Sequence, residues 1–219
     1  MKILLADKLS EHVTQALGDL GTKVVVDPAL KDESLTAALK EHNPNVLVVR
    51  STKVQSEQLQ AADNLAVIIR AGAGTNTIDV ALASDRGIYV ANCPGKNAVA
   101  VAELTMGHLI NCDRRLADNV QHLREQKWAK KKFSKARGLS GRTLAVLGTG
   151  QIGQEVITRA LAFGMKVQAW SRSLTPEKAA ALGVDYAATP VDAAKDADAL
   201  TVHLALTDET KGIVNTAVL

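Results

Sequence analysis

The stretch T-L-A-V-L-G-T-G-Q-I-G, residues 143–153, decides the fold of this 219-residue chain. Its first five residues form an apolar run that is typical of a buried strand. Three glycines follow in the spacing G-x-G-x-x-G. Gly148 permits a tight turn, Gly150 leaves the backbone open to a ligand, and Gly153 lets a helix pack closely on the strand. Strand, glycine turn and helix together predict a dinucleotide phosphate site at the helix N-terminus, where Gln151 and Ile152 stand.

The next predicted strand ends at Trp170, and Ser171 and Arg172 follow it. An NAD site carries Asp or Glu about 20 residues after the glycine turn, where it accepts hydrogen bonds from the ribose hydroxyls. This chain offers a hydroxyl and a guanidinium instead, and these groups suit a ribose 2′-phosphate. We expect NAD or NADP as the cofactor, with NADP favoured by Ser171-Arg172. The alternative is a solvated Arg172 in a site that binds NAD without the usual acid.

Short β-rich runs alternate with helical stretches along the chain, which predicts an α/β fold with two parallel-sheet domains, one flavodoxin-like and one Rossmann-like. The predicted strands are Lys2–Ala6, Lys23–Val26, Val46–Arg50, Leu65–Arg70, Ile88–Ala91, Thr143–Leu147, Lys166–Trp170, Val184–Tyr186 and Ala199–Leu204. The predicted helices are Ser10–Leu20, Ser34–His42, a long one from about Asn97 to Lys127, Ile152–Phe163, Pro176–Leu182 and Val191–Lys195. We expect one domain over residues 1–97 and another over 98–219, joined by the long helix, with the second domain truncated.

The segment Arg124–Arg142 carries eight Lys or Arg residues against the single acid Glu125. We predict a linker or an exposed face between the domains. A nucleic-acid surface is the alternative. It is disfavoured because the net charge is only +3 and aromatic residues make up only 3% of the chain. We therefore expect no nucleic-acid partner.

Targeting and metal signals are absent from the sequence. It contains no run of 18 apolar residues that would predict a membrane span, and its start, M-K-I-L-L-A-D-K, is not that of a signal peptide. Cys93 and Cys112 form neither a disulfide framework nor a metal-ligand spacing. We expect a cytoplasmic protein without a metal site or a membrane partner.

Eight segments, taken together, resemble the D-isomer-specific 2-hydroxyacid dehydrogenase family. They run in the family's order: V-V-R-S-T-K-V (48–54), I-R-A-G-A-G-T-N (69–76), G-I-Y-V-A-N-C-P-G (87–95), N-A-V-A-V-A-E-L-T (97–105), K-W-A-K-K-K-F (127–133), L-S-G-R-T-L-A-V-L-G-T-G-Q-I-G (139–153), F-G-M-K-V (163–167) and T-V-H-L (201–204).

The resemblance implies a substrate-binding first domain and an NAD(P)-binding second domain. The residues that match substrate contacts are Arg50, Ser51, Arg70, Gly72, Ala73, Gly74 and Asn97, the last at the family's interdomain cleft. Those that match cofactor contacts are Gly148, Gly150, Gln151, Ile152, Gly153, Ser171, Arg172, His203, Leu204 and Ala205. Ser171 departs from the family pattern, which has an aspartate there.

By the same resemblance, the reaction is hydride transfer between C2 of a 2-hydroxy acid and a nicotinamide cofactor. Segments 48–54 and 127–133 favour the branch that oxidises D-3-phosphoglycerate, a phosphorylated substrate of serine biosynthesis. Glyoxylate or hydroxypyruvate is the alternative, because residues 170–173 resemble NADP-using reductases of the family. A non-catalytic dinucleotide-binding protein is a second alternative.

The family's catalytic Arg, Glu and His lie C-terminal to the last residue of this sequence, so we assign no catalytic residue. The five histidines present are predicted to have other roles: His12, His42, His108, His122 and His203. We therefore expect no turnover by this chain alone. The resemblance also implies a homodimer formed through the long helix, whose apolar stretch Val101–Ile110 is compatible with such contacts.

Overall fold

Five short apolar segments of the first hundred residues form one fully parallel sheet in the computed structural model, which describes all residues 1–219. The strands are β1 (Lys2–Leu5), β2 (Lys23–Val26), β3 (Val46–Val49), β4 (Val67–Arg70) and β5 (Tyr89–Ala91). Their order in the sheet is β2-β1-β3-β4-β5, the arrangement of flavodoxin-like folds. The sheet order reverses between β1 and β3, and ligands bind beyond the carboxyl ends of strands at such a point.

Both faces of this sheet are covered. Leu4 and Leu47 pack into one apolar cluster, and their chain neighbours Leu5 and Val48 pack into a second. This alternation follows from the two-residue period of a strand, and it explains why the strands are apolar throughout. The helices of this half are α1 (Glu11–Asp19), α2 (Asp32–His42), α3 (Ser56–Gln60) and α4 (Val80–Asp85).

The remaining residues build a second parallel sheet. Its elements are α5 (Ala98–Arg114), α6 (Leu116–Arg124), a 3-10 turn (Lys130–Phe133), β6 (Thr143–Leu147), α7 (Gln151–Ala162), β7 (Lys166–Trp170), α8 (Pro176–Leu182), β8 (Asp185–Tyr186), α9 (Pro190–Ala194) and β9 (Ala199–Val202). The strand order is β8-β7-β6-β9, which matches the 3-2-1-4 part of the Rossmann order. The predicted α/β class with two parallel sheets is confirmed.

The chain divides into two units, Met1–Lys96 and Asn97–Leu219. The basic run Arg124–Arg142 lies inside the second unit and not between the two, so the linker interpretation is wrong, whereas most residues of the run are exposed as the alternative expected. Three of its eight cations, Lys127, Arg137 and Arg142, pair with acids of the same unit; Arg142 contacts Asp113 at 3.1 Å and Asp198 at 3.2 Å. None of the helices is both long and apolar enough to cross a lipid bilayer.

The long helix predicted from about Asn97 to Lys127 breaks at Arg115. Arg115 adopts a left-handed backbone with φ of 52°, which ends α5 and starts α6. The side chain of Asn111 accepts a hydrogen bond from the N–H of Ala117 at 2.9 Å and supports the break. Apolar residues continue across the break at helical spacing, which is why periodicity alone predicted one helix.

Candidate functional site

The glycine turn lies where the sequence placed it, between β6 and α7. Gly148 has φ of +102°, a conformation that side chains rarely adopt, and a Cβ there would lie 2.6 Å from the carbonyl oxygen of His203. A Cβ on Gly153 would overlap the carbonyl oxygen of Gly148. These two glycines therefore hold the turn, the first turn of α7 and the end of β9 in close contact.

Gly150 differs from the other two glycines because a Cβ on it would meet no atom within 4 Å. It is the N-cap residue of α7, and no side chain caps the helix there. The N–H groups of Gln151 and Ile152 at the helix start thus face no protein acceptor, and the helix dipole adds positive potential. An open approach next to free N–H groups fits the phosphates of a dinucleotide.

The residues predicted to contact the ribose lie at the end of β7, beside the glycine turn. The Ser171 and Thr149 hydroxyls form a hydrogen bond of 2.7 Å, which joins the two loops. Arg172 forms an ion pair with Glu209, and both side chains are largely exposed. A ribose 2′-phosphate would therefore have to compete with the Glu209 carboxylate for the guanidinium.

His203, Leu204 and Ala205 follow β9, which ends at Val202, two residues before the predicted end of that strand. The N–H of His203 still bonds the carbonyl of Leu147 at 2.8 Å, and its ring bonds the Thr201 hydroxyl at 2.9 Å. Burial lowers the pKa of His203 below its ordinary value of 6.5. The half-buried His203 imidazole therefore lies beside the glycine turn with the Thr201 hydroxyl as its partner.

In the first unit, the carboxyl end of β3 carries Arg50 and Ser51, both of them exposed. Their backbone N–H groups bond the Asp7 carboxylate at 2.6 and 3.1 Å. Burial raises the pKa of Asp7, but the backbone hydrogen bonds of Arg50, Thr52 and Ser51 outweigh it and hold the pKa below 3.8. The Arg50 guanidinium itself forms no ion pair in the structure.

The second substrate segment, from Arg70 to Gly74, follows β4, the neighbour of β3. The Arg70 guanidinium lies over Gly72, where a Cβ would overlap it. Its Nε is buried and has no hydrogen-bond partner. Because Val49 pairs with Arg70 across the two strands, Arg50 and the turn after Arg70 lie at the same sheet edge. Neither guanidinium forms an ion pair, although the Asp7 carboxylate lies at the same edge.

Two residues that sequence reasoning missed hold these segments in place. Asp7 organises residues 50–52, and the Asn92 amide donates to the carbonyl of Ala73 at 2.6 Å. Asp7 directly follows a predicted strand, so its place at the carboxyl edge of the sheet could have indicated it. Asn97, predicted in the substrate set, is the N-cap of α5, belongs to the second unit, and makes no side-chain cap bond.

Comparison with protein families gives a second, independent observation on the part of the chain that contains the glycine turn. Residues 106–219 match the model described as "D-isomer specific 2-hydroxyacid dehydrogenase, NAD binding domain". The match covers more than half of the chain and includes the glycine turn.

The chain belongs to the D-isomer specific 2-hydroxyacid dehydrogenase family.

Two members of this 2-hydroxyacid dehydrogenase family are similar over 98% of the chain. D-3-phosphoglycerate dehydrogenase of Methanocaldococcus jannaschii is 39% identical over 215 residues, and the chain spans 40% of its length. Hydroxypyruvate reductase of Thermotoga maritima is 40% identical over 216 residues, and the chain spans 68% of its length. The solved structure of NAD-dependent formate dehydrogenase from Staphylococcus aureus shares the fold, with a TM-score of 0.85 at 24% identity over all of this chain and 69% of that one.

Proposed function

We propose that the protein containing this chain is an oxidoreductase that transfers a hydride between a 2-hydroxy acid and NAD(P). The observation that carries the proposal is the turn Gly148–Gly153, whose open N-terminal approach to α7 fits a dinucleotide pyrophosphate. Membership in the 2-hydroxyacid dehydrogenase family supports it. When bound, the nicotinamide cofactor supplies the hydride acceptor or donor.

The residues of this chain would hold that cofactor at two places. The N–H groups of Gln151 and Ile152 would bind the pyrophosphate, with Gly150 leaving room for it. Ser171 and Arg172 would contact the ribose that carries the adenine, and His203, Leu204 and Ala205 would line the adenosine side. The lack of an acid after β7 supports use of NADP, whereas the ion pair between Arg172 and Glu209 opposes it. We keep NADP as the favoured cofactor and NAD as the alternative.

The first unit would bind the substrate. Arg50 and Arg70 provide two cations at one sheet edge, and the buried Nε of Arg70 lacks a partner that a ligand carboxylate could supply. A phosphorylated three-carbon acid carries two anionic groups and suits this pair, which supports D-3-phosphoglycerate and a place in serine biosynthesis. Hydroxypyruvate or glyoxylate is the second candidate, and the similarity to the Thermotoga maritima hydroxypyruvate reductase favours it.

Proton transfer needs a base, and histidine paired with a carboxylate suits that role. None of the five histidines in the structure forms an ion pair with Asp or Glu. We therefore propose that the 219-residue chain alone does not turn over. Robust reduction of NAD(P) by the pure chain with D-3-phosphoglycerate would contradict this.

A homodimer through the helices at the start of the second unit is part of the proposal. Ala102 and Met106 of α5 are buried within the unit's own core, so they are not available for dimer contacts. Leu104 on α5 and an apolar stripe on α6, formed by Leu116, Val120 and Leu123, remain exposed. Exposed apolar stripes of this kind favour association. The two free cysteines fit the cytoplasmic location that we propose.

A thermal-shift series tests the proposed function. A ligand that binds only the folded state raises the melting temperature. We expect a rise with NADP or NAD, and a separate rise with D-3-phosphoglycerate or hydroxypyruvate, each absent with an equal concentration of sodium sulfate. No shift with either dinucleotide at millimolar concentration would contradict the cofactor assignment.

A further inference from the structure

The carboxylate of Asp7 collects hydrogen bonds from three consecutive residues after β3. Its Oδ2 accepts the N–H groups of Arg50, Ser51 and Thr52 at 2.6, 3.1 and 3.0 Å. Its Oδ1 accepts the Ser51 hydroxyl at 3.2 Å. Successive N–H groups that converge on one oxygen form the kind of concave site in which proteins bind anions. Here an anion of the chain itself fills that site.

This arrangement divides the donors of the segment into two groups. The backbone N–H groups are occupied by Asp7 and are not available to a ligand. The Arg50 guanidinium has no acidic partner and remains available. A ligand anion that arrives at this edge is thereby directed to the guanidinium and not to the backbone.

The hydrogen bonds to Asp7 also fix the position of the Arg50 backbone. Leu5 of β1 pairs with Val48 of β3, so Asp7 lies opposite Arg50 at the carboxyl edge of the sheet. The Thr52 hydroxyl adds a bond to the carbonyl of Ala6 at 3.3 Å. With three N–H groups held on one side chain, the Arg50 backbone has little freedom, and less entropy is lost when the guanidinium binds a ligand.

We propose that Asp7 is a positioning residue for substrate binding: it holds residues 50–52 and keeps their N–H groups occupied, so that the substrate anion binds the Arg50 side chain. This inference rests on the proposed function, because it takes the edge with Arg50 and Arg70 as the substrate site. It assigns a role to a residue that does not itself contact the substrate.

The test compares D7N with the unsubstituted 219-residue chain. The substitution keeps the size of the side chain but removes its charge, and the neutral amide oxygen accepts the three N–H groups more weakly than the carboxylate does. D63N is the matched control, because Asp63 is exposed, lies in the same unit and makes the same change in net charge without a hydrogen bond to lose. Two quantities are measured by NMR: amide exchange at residues 50–52, and the Kd for D-3-phosphoglycerate and hydroxypyruvate.

In D7N we expect faster exchange at Arg50, Ser51 and Thr52. The Kd for the ligand that binds more tightly should rise about tenfold, because the Arg50 guanidinium is no longer held in place for its charged contact with that ligand. The D63N variant should match the unsubstituted chain in both measurements. A double variant, D7N with R50A, should bind no more weakly than R50A alone, because Asp7 acts through Arg50.

Unchanged exchange would overturn the inference, since Asp7 would then not hold the segment. Faster exchange with an unchanged Kd would also overturn it, because the role would be structural only. Tighter binding in D7N would show that the ligand prefers the freed backbone site, which contradicts the proposal as well. If the unsubstituted chain binds neither ligand although its residues 50–52 are protected from exchange, the substrate assignment is wrong, and the inference fails with it. The protection would then show that Asp7 does hold the segment, so the failure lies in the proposed substrate.

Discussion

At the scale of single residues, much of the cofactor turn could be predicted from the sequence, and the partners of its side chains could not. Gly148 and Gly153 stand at close backbone approaches that admit only glycine, whereas Gly150 has open space around it. The ion pair of Arg172 with Glu209 joins residues 37 positions apart and has no local signal. Asp7 contacts Arg50 across 43 positions, so only the sheet order reveals that contact.

Gly153 and Gly150 of the turn should differ in how far an added side chain lowers stability. G153A brings a Cβ against the carbonyl of Gly148 and should lower the free energy of unfolding by about 2–3 kcal/mol. G150V points into open space at an N-cap with extended backbone, so its effect should stay within about 1 kcal/mol. Urea unfolding checks both, and equal losses would contradict the geometry.

Glu209 should limit the affinity for NADP. E209Q frees Arg172 from its ion pair, so the Kd for NADPH should fall. The fall should be about threefold, because an exposed ion pair contributes little free energy, and the Kd for NADH should stay constant. D208N is the matched control, since it removes the neighbouring charge and leaves the ion pair intact. Equal effects of E209Q and D208N, or a change in NADH binding, would show that general charge and not Arg172 is responsible.

His203 should make the second unit less stable in mild acid. Its folded-state pKa lies below 6.5, so it resists protonation when folded. The contribution of His203 to the free energy of unfolding is therefore fully present above pH 6.5, and it is lost as the pH drops through the folded-state pKa. We expect a lower urea midpoint at pH 5.5 than at pH 7.5, followed by the fluorescence of Trp128 and Trp170, both in the second unit, and a smaller difference in H203Q. H12Q, on the exposed face of α1, is the control; a pH dependence in H203Q as large as in the unsubstituted chain would rule out His203 as the cause.

At the scale of elements, strands were predicted better than short helices. Buried parallel strands are continuous apolar runs, which a sequence shows directly. The helices α3 and α4 have only five and six residues, too few to display a clear helical period, and neither was predicted, whereas α9, with five residues, was. The break at Arg115 was missed for a different reason: a left-handed residue and a side-chain bond from Asn111 stop the helix, although the apolar spacing continues.

At the scale of the whole chain, the order of motifs predicted two parallel-sheet units and the family. The substrate identity was left open because Arg50 and Arg70 would suit several anions. Both units place their candidate ligand residues after the carboxyl ends of strands, as expected for open α/β sheets. Within the stretch Val101–Ile110, predicted to form dimer contacts, Ala102 and Met106 instead belong to the core of the second unit.

A homodimer should form through the exposed apolar side chains of α5 and α6. L116D combined with L123D puts charges on the exposed stripe and should convert the dimer to a monomer without unfolding it. L20D is the control, because Leu20 is exposed in the first unit. Light scattering at micromolar concentration measures the mass. A monomer before any substitution would contradict the prediction.

The measurement that tests the central claim most directly is calorimetric titration of the chain and of G150V with NADP and NAD. If the turn holds a pyrophosphate, the unsubstituted chain binds at least one dinucleotide at one site, and G150V, still folded, binds it at least about tenfold more weakly. Equal affinity in the two proteins, or no binding by either at millimolar dinucleotide, would contradict the assignment of Gly148–Gly153 as the cofactor site.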